Sequence, residues 1–185
     1  MALQNSANEN QQQVIVGTNA VDADEETFAE GEIIQLVSFT IDEVEYGIDI
    51  LSVQDIHRVP TMTRLPNTPR FVKGVFNYRG DVVPVVDARL RFGFEKGQIT
   101  DLSRVIVIDT DGKNVGLLVD NVYQVVRIPE SYIDPPSSLI EGVSEEFIFG
   151  IGRLKDRLIV ILNMTDILFL QNVEHEEGLD AVIQT

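Results

Sequence analysis

The sequence predicts a mainly β chain folded as two small barrels related by a pseudo-two-fold axis, with short helices. Three observations predict it. Short β-branched runs alternate with turn dipeptides through the middle of the chain. A stretch beginning at Gly47 repeats, without a gap, 69 positions later at Gly116. Helix signals are confined to two short capped stretches.

Taken in order, residues 33–41 partly alternate apolar and polar, Asp42-Glu43 supplies a turn, and 46–50 returns. Pro60, Pro66 and Pro69 punctuate an aperiodic connector over 61–70. Runs 72–77 and 81–86 follow, joined by the turn Asn77-Tyr78-Arg79-Gly80 with an aromatic and a guanidinium at its tip. Asp87 can cap a helical turn over 88–92 that Gly93 stops. The run Val105-Ile106-Val107-Ile108 leads to Asp111-Gly112, a strong hairpin dipeptide, and 115–119 returns. Runs 147–151 and 157–162 form the last hairpin, and Asn163 or Thr165 can cap a helix over about 164–172.

The duplication is specific. Over 47–60 and 116–129, Gly, Val, Arg and Pro coincide, and Ile48, Ile50, Ile56 and Val59 meet Leu117, Val119, Val125 and Ile128. Farther on the offset becomes 76: Gly74 meets Gly150, Arg79 meets Lys155, and Asp87 meets Asn163. Each copy is a hairpin, a connecting segment, a second hairpin and a helix cap. Four or five short strands have open edges and a thin core, so closure into a barrel is the economical arrangement. The expected boundaries are a first barrel over about 33–100 and a second over about 101–165. An acidic disordered extension over 1–32 and an acidic tail over 173–185 flank them.

Charge separates these parts. Of 185 residues, 14 are Lys or Arg and 30 Asp or Glu, for a net charge of −16. Residues 1–32 carry seven acids and 171–185 four, neither with a base, so most of the negative charge lies in the two ends. Such ends read as solvated arms, expected to be flexible and dispensable for folding. An acidic surface repels phosphate backbones and anionic membranes, so nucleic-acid binding is disfavoured. There is no Cys, and only His57 and His175, which removes thiol chemistry and most zinc sites. No run approaches 18 apolar residues and the start lacks a leader pattern, so the expected location is cytoplasmic, without membrane insertion.

Searches for chemistry fail residue by residue. Gly150-Ile151-Gly152 has Lys155 where a phosphate-cradling motif needs a third glycine. Asp109, Asp111 and Gly112 suit a hairpin better than a calcium loop, whose sixth position would be Asn114. Ser144 lacks the downstream glycine of a nucleophile elbow. His57 has no acid–nucleophile pair beside it and reads as a surface or capping histidine. Asp49 and Asp55 are candidates for a carboxylate pair, yet the counterpart of Asp49 is Leu118, so both read as surface or interface carboxylates. No catalytic residue, metal site or cofactor is assigned.

One segment resists the bland reading. Tyr46-Gly47-Ile48-Asp49-Ile50, Val53-Gln54-Asp55-Ile56, Pro66-x-x-Pro69, Phe71-Val72-Lys73-Gly74-Val75-x-Asn77-x-Arg79-Gly80 and Val83-Pro84-Val85-Val86-Asp87-x-Arg89 strongly resemble the CheW family of bacterial chemotaxis coupling proteins. The resemblance spans essentially 33–170. It implies two SH3-like five-stranded barrels around a shared core, and a non-catalytic adaptor. That adaptor links the cytoplasmic hairpin tip of chemoreceptors to the regulatory domain of the histidine kinase CheA, recruited to membrane-associated receptor arrays. By position it implies a receptor-facing groove of Ile50, Val53, Asp55 and Ile56, with Asn77 and Arg79 beside them. Gly74 would hold its strand close enough for the groove to form. Arg79 would organise the groove, its planar fork fixing carbonyls or a carboxylate. No residue is assigned to the kinase contact. Asp55 stands where the family usually has Glu, and Tyr78 replaces a usual Leu. The absence of room for a fused receiver domain implies a stand-alone coupler. The alternatives are a coupler of a non-flagellar chemosensory pathway and, in another class, a small-barrel enzyme or ligand-binding protein using Asp49, Asp55 and His57.

Overall fold

The computed structural model describes residues 32–110, 112–136 and 143–168. The 1–31 part of the expected extension, the tail, Asp111, His175 and residues 169–172 of the expected last helix lie outside them. Eleven strands, two short helices and three 3-10 turns follow one another among the described residues. They are β1 (Ile33–Ile41), β2 (Val44–Asp49), β3 (Val53–Arg58), β4 (Val72–Tyr78), β5 (Asp81–Asp87), α1 (Ala88–Arg91), β6 (Arg104–Thr110), β7 (Lys113–Val119), β8 (Asn121–Pro129), β9 (Ile133–Asp134), β10 (Ile148–Leu154), β11 (Arg157–Leu162) and α2 (Met164–Leu168).

Local signals explain most boundaries. Asp42 and Glu43 both have positive φ, 51° and 69°, the geometry of a two-residue hairpin turn whose twist matches its strands. Asp87 caps α1 by accepting from the Leu90 N–H, and Gly93, at φ 85°, ends it. Asn163 Oδ1 accepts from the Thr165 N–H at the start of α2. One expectation needs correction: Tyr78 is not at a turn tip. It ends β4 as a buried residue, and the tip is Arg79-Gly80.

The strands form two sheets, ordered β8-β1-β2-β11-β10-β9 and β3-β6-β7-β5-β4. The second has the expected five strands; the first gains a sixth in the two-residue β9. The contiguous halves, 33–100 and 101–165, are not the sheets. Each sheet takes one hairpin from the other half: β1-β2 joins β8, β10 and β11, while β6-β7 joins β3, β4 and β5. Strands β2 and β3 are separated only by the 3-10 turn Ile50–Ser52, which carries the chain across to the other sheet. The exchange obeys the duplication at single-residue register. Gly47 pairs with Ile161 in a parallel ladder, and its counterpart Gly116 pairs with Val85. Gln35 pairs with Arg127, and Arg104 with Arg58.

Exchange creates the core. One cluster lies between the sheets and draws on both, with Phe39, Tyr46 and Ile48 from one and Ile106, Ile108 and Leu117 from the other. Each sheet also has its own smaller cluster, Phe76, Tyr78, Val83 and Val105 in one, Leu36, Ile128 and Ile159 in the other. Strand β6 serves two clusters at once, Ile106 and Ile108 facing one and Val105 and Val107 the other. Burial on both faces is why it reads as an unbroken β-branched run.

Candidate functional site at the rim of β3 and β4

Strand β3 is an edge strand whose two faces do different work. Its pairing with β6 shifts register between Val53 and Asp55. Val53 pairs with Ile108 and Ile56 with Ile106, both in the central cluster, so Val53 and Ile56 share one face. Asp55 pairs with Val107 and His57 with Val105, both in the smaller cluster, so these two share the other. Without the bulge, Val53 and Asp55 would face the same way. Ile50 and Val53 pack partly against the central cluster, while Ile56 stays 39% exposed.

On the opposite face Asp55 is a hub. Its Oδ1 accepts from the Ile56 N–H at 2.8 Å. Its Oδ2 accepts from Arg79 Nη2 at 3.2 Å and, at the long limit, from the Tyr78 hydroxyl at 3.4 Å. His57 Nε2 lies 3.2 Å from the same oxygen without the alignment of a hydrogen bond. The imidazole stands edge-on to Tyr78, with centroids 5.4 Å apart, and the Arg79 guanidinium covers the Tyr78 ring at 4.9 Å. Since β3 and β4 are the two outer strands of their sheet, these contacts draw the edges together as a barrel requires.

Arg79 engages Asp55 through one nitrogen, not through the two-point fork expected of it, and its side chain is 70% exposed. The rest of the guanidinium is therefore presented at the surface. It stands at φ 54°, where a non-glycine residue is strained by roughly 1 kcal/mol or more. Asn77 holds this turn, its Oδ1 accepting from the Gly80 N–H at 3.2 Å.

Gly74 acts on the backbone. It has φ 147°, and a Cβ there would stand 2.4 Å from the carbonyl oxygen of Thr63. The space admits the connector: Thr63 and Val75 exchange both N–H···O bonds at 2.8 Å. The second copy repeats the device, with Gly150 beneath Asp134 and β9 paired to Ile151.

The structure thus gathers Asp55, Arg79 and Asn77 at one rim, puts Val53 and Ile56 on the opposite face of β3 with Ile50 also against the central cluster, and places Gly74 beneath the connector. Asp49 is committed elsewhere: its Oδ1 accepts from the Leu51 N–H and caps the 3-10 turn. It forms no carboxylate pair with Asp55. Sequence reasoning missed Tyr78 as a partner of Asp55, and grouped His57 with Asp55 only in the enzyme or ligand-binding alternative. The alternation Phe76, Asn77, Tyr78 in β4 was the signal for an inward Tyr78. It also missed the clamp on Arg89, which donates to both carboxylate oxygens of Asp120 at 2.7–3.0 Å and to Asp42 at 2.7 Å. Those bonds, led by Asp120, push the Arg89 guanidinium pKa up. Among the described residues no three His, Asp or Glu side chains are grouped to hold a metal, and no helix is long and apolar enough to cross a membrane.

A family model described as the CheW-like domain matches residues 35–171. The chain is 36% identical to the chemotaxis protein CheW of Helicobacter pylori over 138 residues, 74% of this chain and 82% of that one. It is 34% identical to CheW of Klebsiella aerogenes, covering 72% and 81%. The crystal structure of the scaffolding protein TtCheW from Thermoanaerobacter tengcongensis superposes with a TM-score of 0.72 at 32% identity, covering 78% of this chain and 98% of that one.

Proposed function

The chain belongs to the CheW family of non-catalytic chemotaxis scaffolding proteins, and from that premise we propose that it couples chemoreceptor cytoplasmic tips to the regulatory domain of CheA. Its place in the cell is the cytoplasmic face of receptor arrays. The receptor contact is the groove face of β3, with Ile56 as its apolar anchor. Arg79, at the adjoining rim, offers its free guanidinium edge to polar groups of the hairpin tip. The observation that carries this reading is the contact between Arg79 and Asp55 at the rim, one strand face away from the exposed Ile56. An exposed aliphatic across the edge of β3 from a presented arginine suits an amphipathic helix with one apolar stripe flanked by polar groups. Ile50 and Val53 support the groove from the core side, Asn77 holds the turn, and Gly74 spaces the connector.

The kinase contact is proposed at the outer ends of the second hairpins, where in the first copy Val82 pairs with Asn77 and so adjoins the receptor rim. Val82 and Leu158 occupy equivalent positions in the two copies and stay 63% and 60% exposed. Exposed aliphatics at both barrel ends suit packing against another barrel.

Kinase autophosphorylation with receptor membranes, alongside a kinase pull-down and a thermal melt, tests both contacts. Ile56→Asp and Arg79→Ala should lower receptor-dependent activation about tenfold, the ratio that ~1.4 kcal/mol of lost contact produces. Kinase pull-down should persist. The double variant Val82→Asp, Leu158→Asp should instead lose kinase binding. Ile56→Asp that couples like wild type with an unchanged melt would overturn the receptor face.

A further inference from the structure

One titratable group at the rim of β3 and β4 has no part in the receptor contact. His57 holds Nε2 at 3.2 Å from Asp55 Oδ2, and that nitrogen is closed off from solvent without a hydrogen-bond partner. Aromatic rings fix the imidazole in this pose. It stands edge-on to Phe76 and Tyr78, with ring centroids 6.3 Å and 5.4 Å away. The rest of the side chain is partly exposed, so a proton can reach the ring from water. The charged and titratable groups facing the ring are Asp55 on its own strand, Tyr78 on β4 and Arg79 at the β4–β5 tip. Strand β6 presents Val105 opposite it, and the connector adds Val59 and Met62 to the same cluster. Arg58 and its partner Arg104 lie on the other face by strand alternation.

Histidine is the side chain whose charge ordinarily changes between about pH 5 and 8. A charged imidazole donates from both nitrogens, so an N–H then faces the Asp55 carboxylate. That oxygen is already claimed. Arg79 Nη2 donates to it at 3.2 Å and the Tyr78 hydroxyl at 3.4 Å, while Oδ1 holds the Ile56 N–H. The two lone pairs of one oxygen cannot serve three donors well, and two cations on one carboxylate repel each other. His57 is braced by its aromatic neighbours, whereas Arg79 is attached through one nitrogen and is largely exposed. Arg79 is therefore the partner that gives way. The duplication shows that the barrel does not demand this cluster. The counterparts of Asp55, His57, Tyr78 and Arg79 are Gln124, Val126, Leu154 and Lys155, and the second sheet forms without it.

We propose that His57 is a positioning residue for Arg79, acting through Asp55: the charged imidazole takes Asp55 Oδ2 and releases the guanidinium. The consequence for coupling rests on the receptor reading of this rim. Arg79 is held in place while the imidazole is neutral and loses its anchor in mild acid, so coupling weakens as pH falls.

NMR titration of the full chain between about pH 5 and 8 tests it. The chain has two histidines, His57 and His175, and a His175→Gln variant assigns the ring signals. The Arg79 guanidinium signal should move with the His57 midpoint. Arg79→Gln should raise that midpoint by about half a pH unit, since a competing cation is gone, and Asp55→Asn should lower it by about as much. The His175 midpoint should stay in place in both. A His57 midpoint that ignores Arg79→Gln, an Arg79 signal that does not follow it, or equal shifts of both histidines would overturn the proposal. In receptor-dependent kinase activation, the wild type should lose about two- to fivefold relative to His57→Gln between about pH 7.5 and 6, the range an exposed ion pair is worth. The expected NMR shifts with parallel activation profiles would uphold the competition for Asp55 and count against the receptor reading alone.

Discussion

Arg79 occupies a position that its own backbone disfavours. The tip of the β4–β5 hairpin has φ 54° at Arg79 and 101° at Gly80, a pair for which Asn-Gly is the preferred dipeptide. An arginine there is retained for its side chain, since the turn alone would be better served by another residue. Arg79→Asn should therefore match or exceed wild-type stability, by up to about 1 kcal/mol, because relief of the left-handed strain offsets an exposed ion pair worth at most that much. The same variant should lose receptor coupling. Arg79→Lys should keep the single contact to Asp55 and the fold, yet couple poorly, since an ammonium presents no planar edge beyond the contact it makes. Paired urea melts and autophosphorylation assays separate the two effects. A clear loss of stability in Arg79→Asn would assign the arginine to the turn.

The β4–β5 hairpin also shows how an element is built around one missing side chain. Its register shifts between Val72 and Gly74, and that of β10–β11 shifts between Ile148 and Gly150, the equivalent positions. In both, the glycine admits a neighbouring segment that pairs outside the hairpin. Gly74→Ala puts a methyl group against the Thr63 carbonyl and must expel the connector. The expected cost is about 2–3 kcal/mol, from backbone strain and two lost hydrogen bonds. Because Thr63 and Val75 exchange both hydrogen bonds across that contact, amide exchange should quicken at Thr63 and Val75 first. Retained protection of both amides in Gly74→Ala would show that the strand, not the connector, gives way.

Across the whole molecule the two sheets are held by the central cluster and by Arg89, which binds the β1–β2 turn at Asp42 and the end of β7 at Asp120. Tyr46 sits inside that cluster, 1% exposed, against Phe39 and Phe92. Burial first, and then the charge of Asp42, push its hydroxyl pKa up to about 12 from an ordinary 10.0. Between those values the folded chain holds a proton that the unfolded chain has released. Stability is therefore fully present below pH 10 and falls as pH rises towards about 12. Urea melts at pH 8, 10 and 11 should show this loss in the wild type and a shallower one in Tyr46→Phe. Parallel alkaline slopes in the two proteins would place the loss at other groups.

Much is legible in the sequence, because it is local. Turn dipeptides such as Asp42-Glu43, the Asp87 cap and the Gly93 stop act within a few residues, and the strands follow from short β-branched runs. The duplication was also readable, since equivalent positions carry the same constraints: glycine at 47 and 116, where strands from different halves run parallel, and at 74 and 150, beneath a crossing backbone. The residues matching the CheW family came with it. Sheet membership was not legible. A hairpin exposes the same pairing edge to either half, and only the burial of Phe39, Tyr46 and Ile48 against Ile106 and Leu117 makes exchange the arrangement that fills one shared core. Nor could periodicity show that a bulge sends Val53 and Asp55 to opposite faces, or that closure of a curved sheet brings Arg79 to Asp55 across 24 residues of chain. Strand runs and turns are decided by neighbours in sequence. Which strands meet, and therefore which charges do, is decided by where apolar surface can be buried.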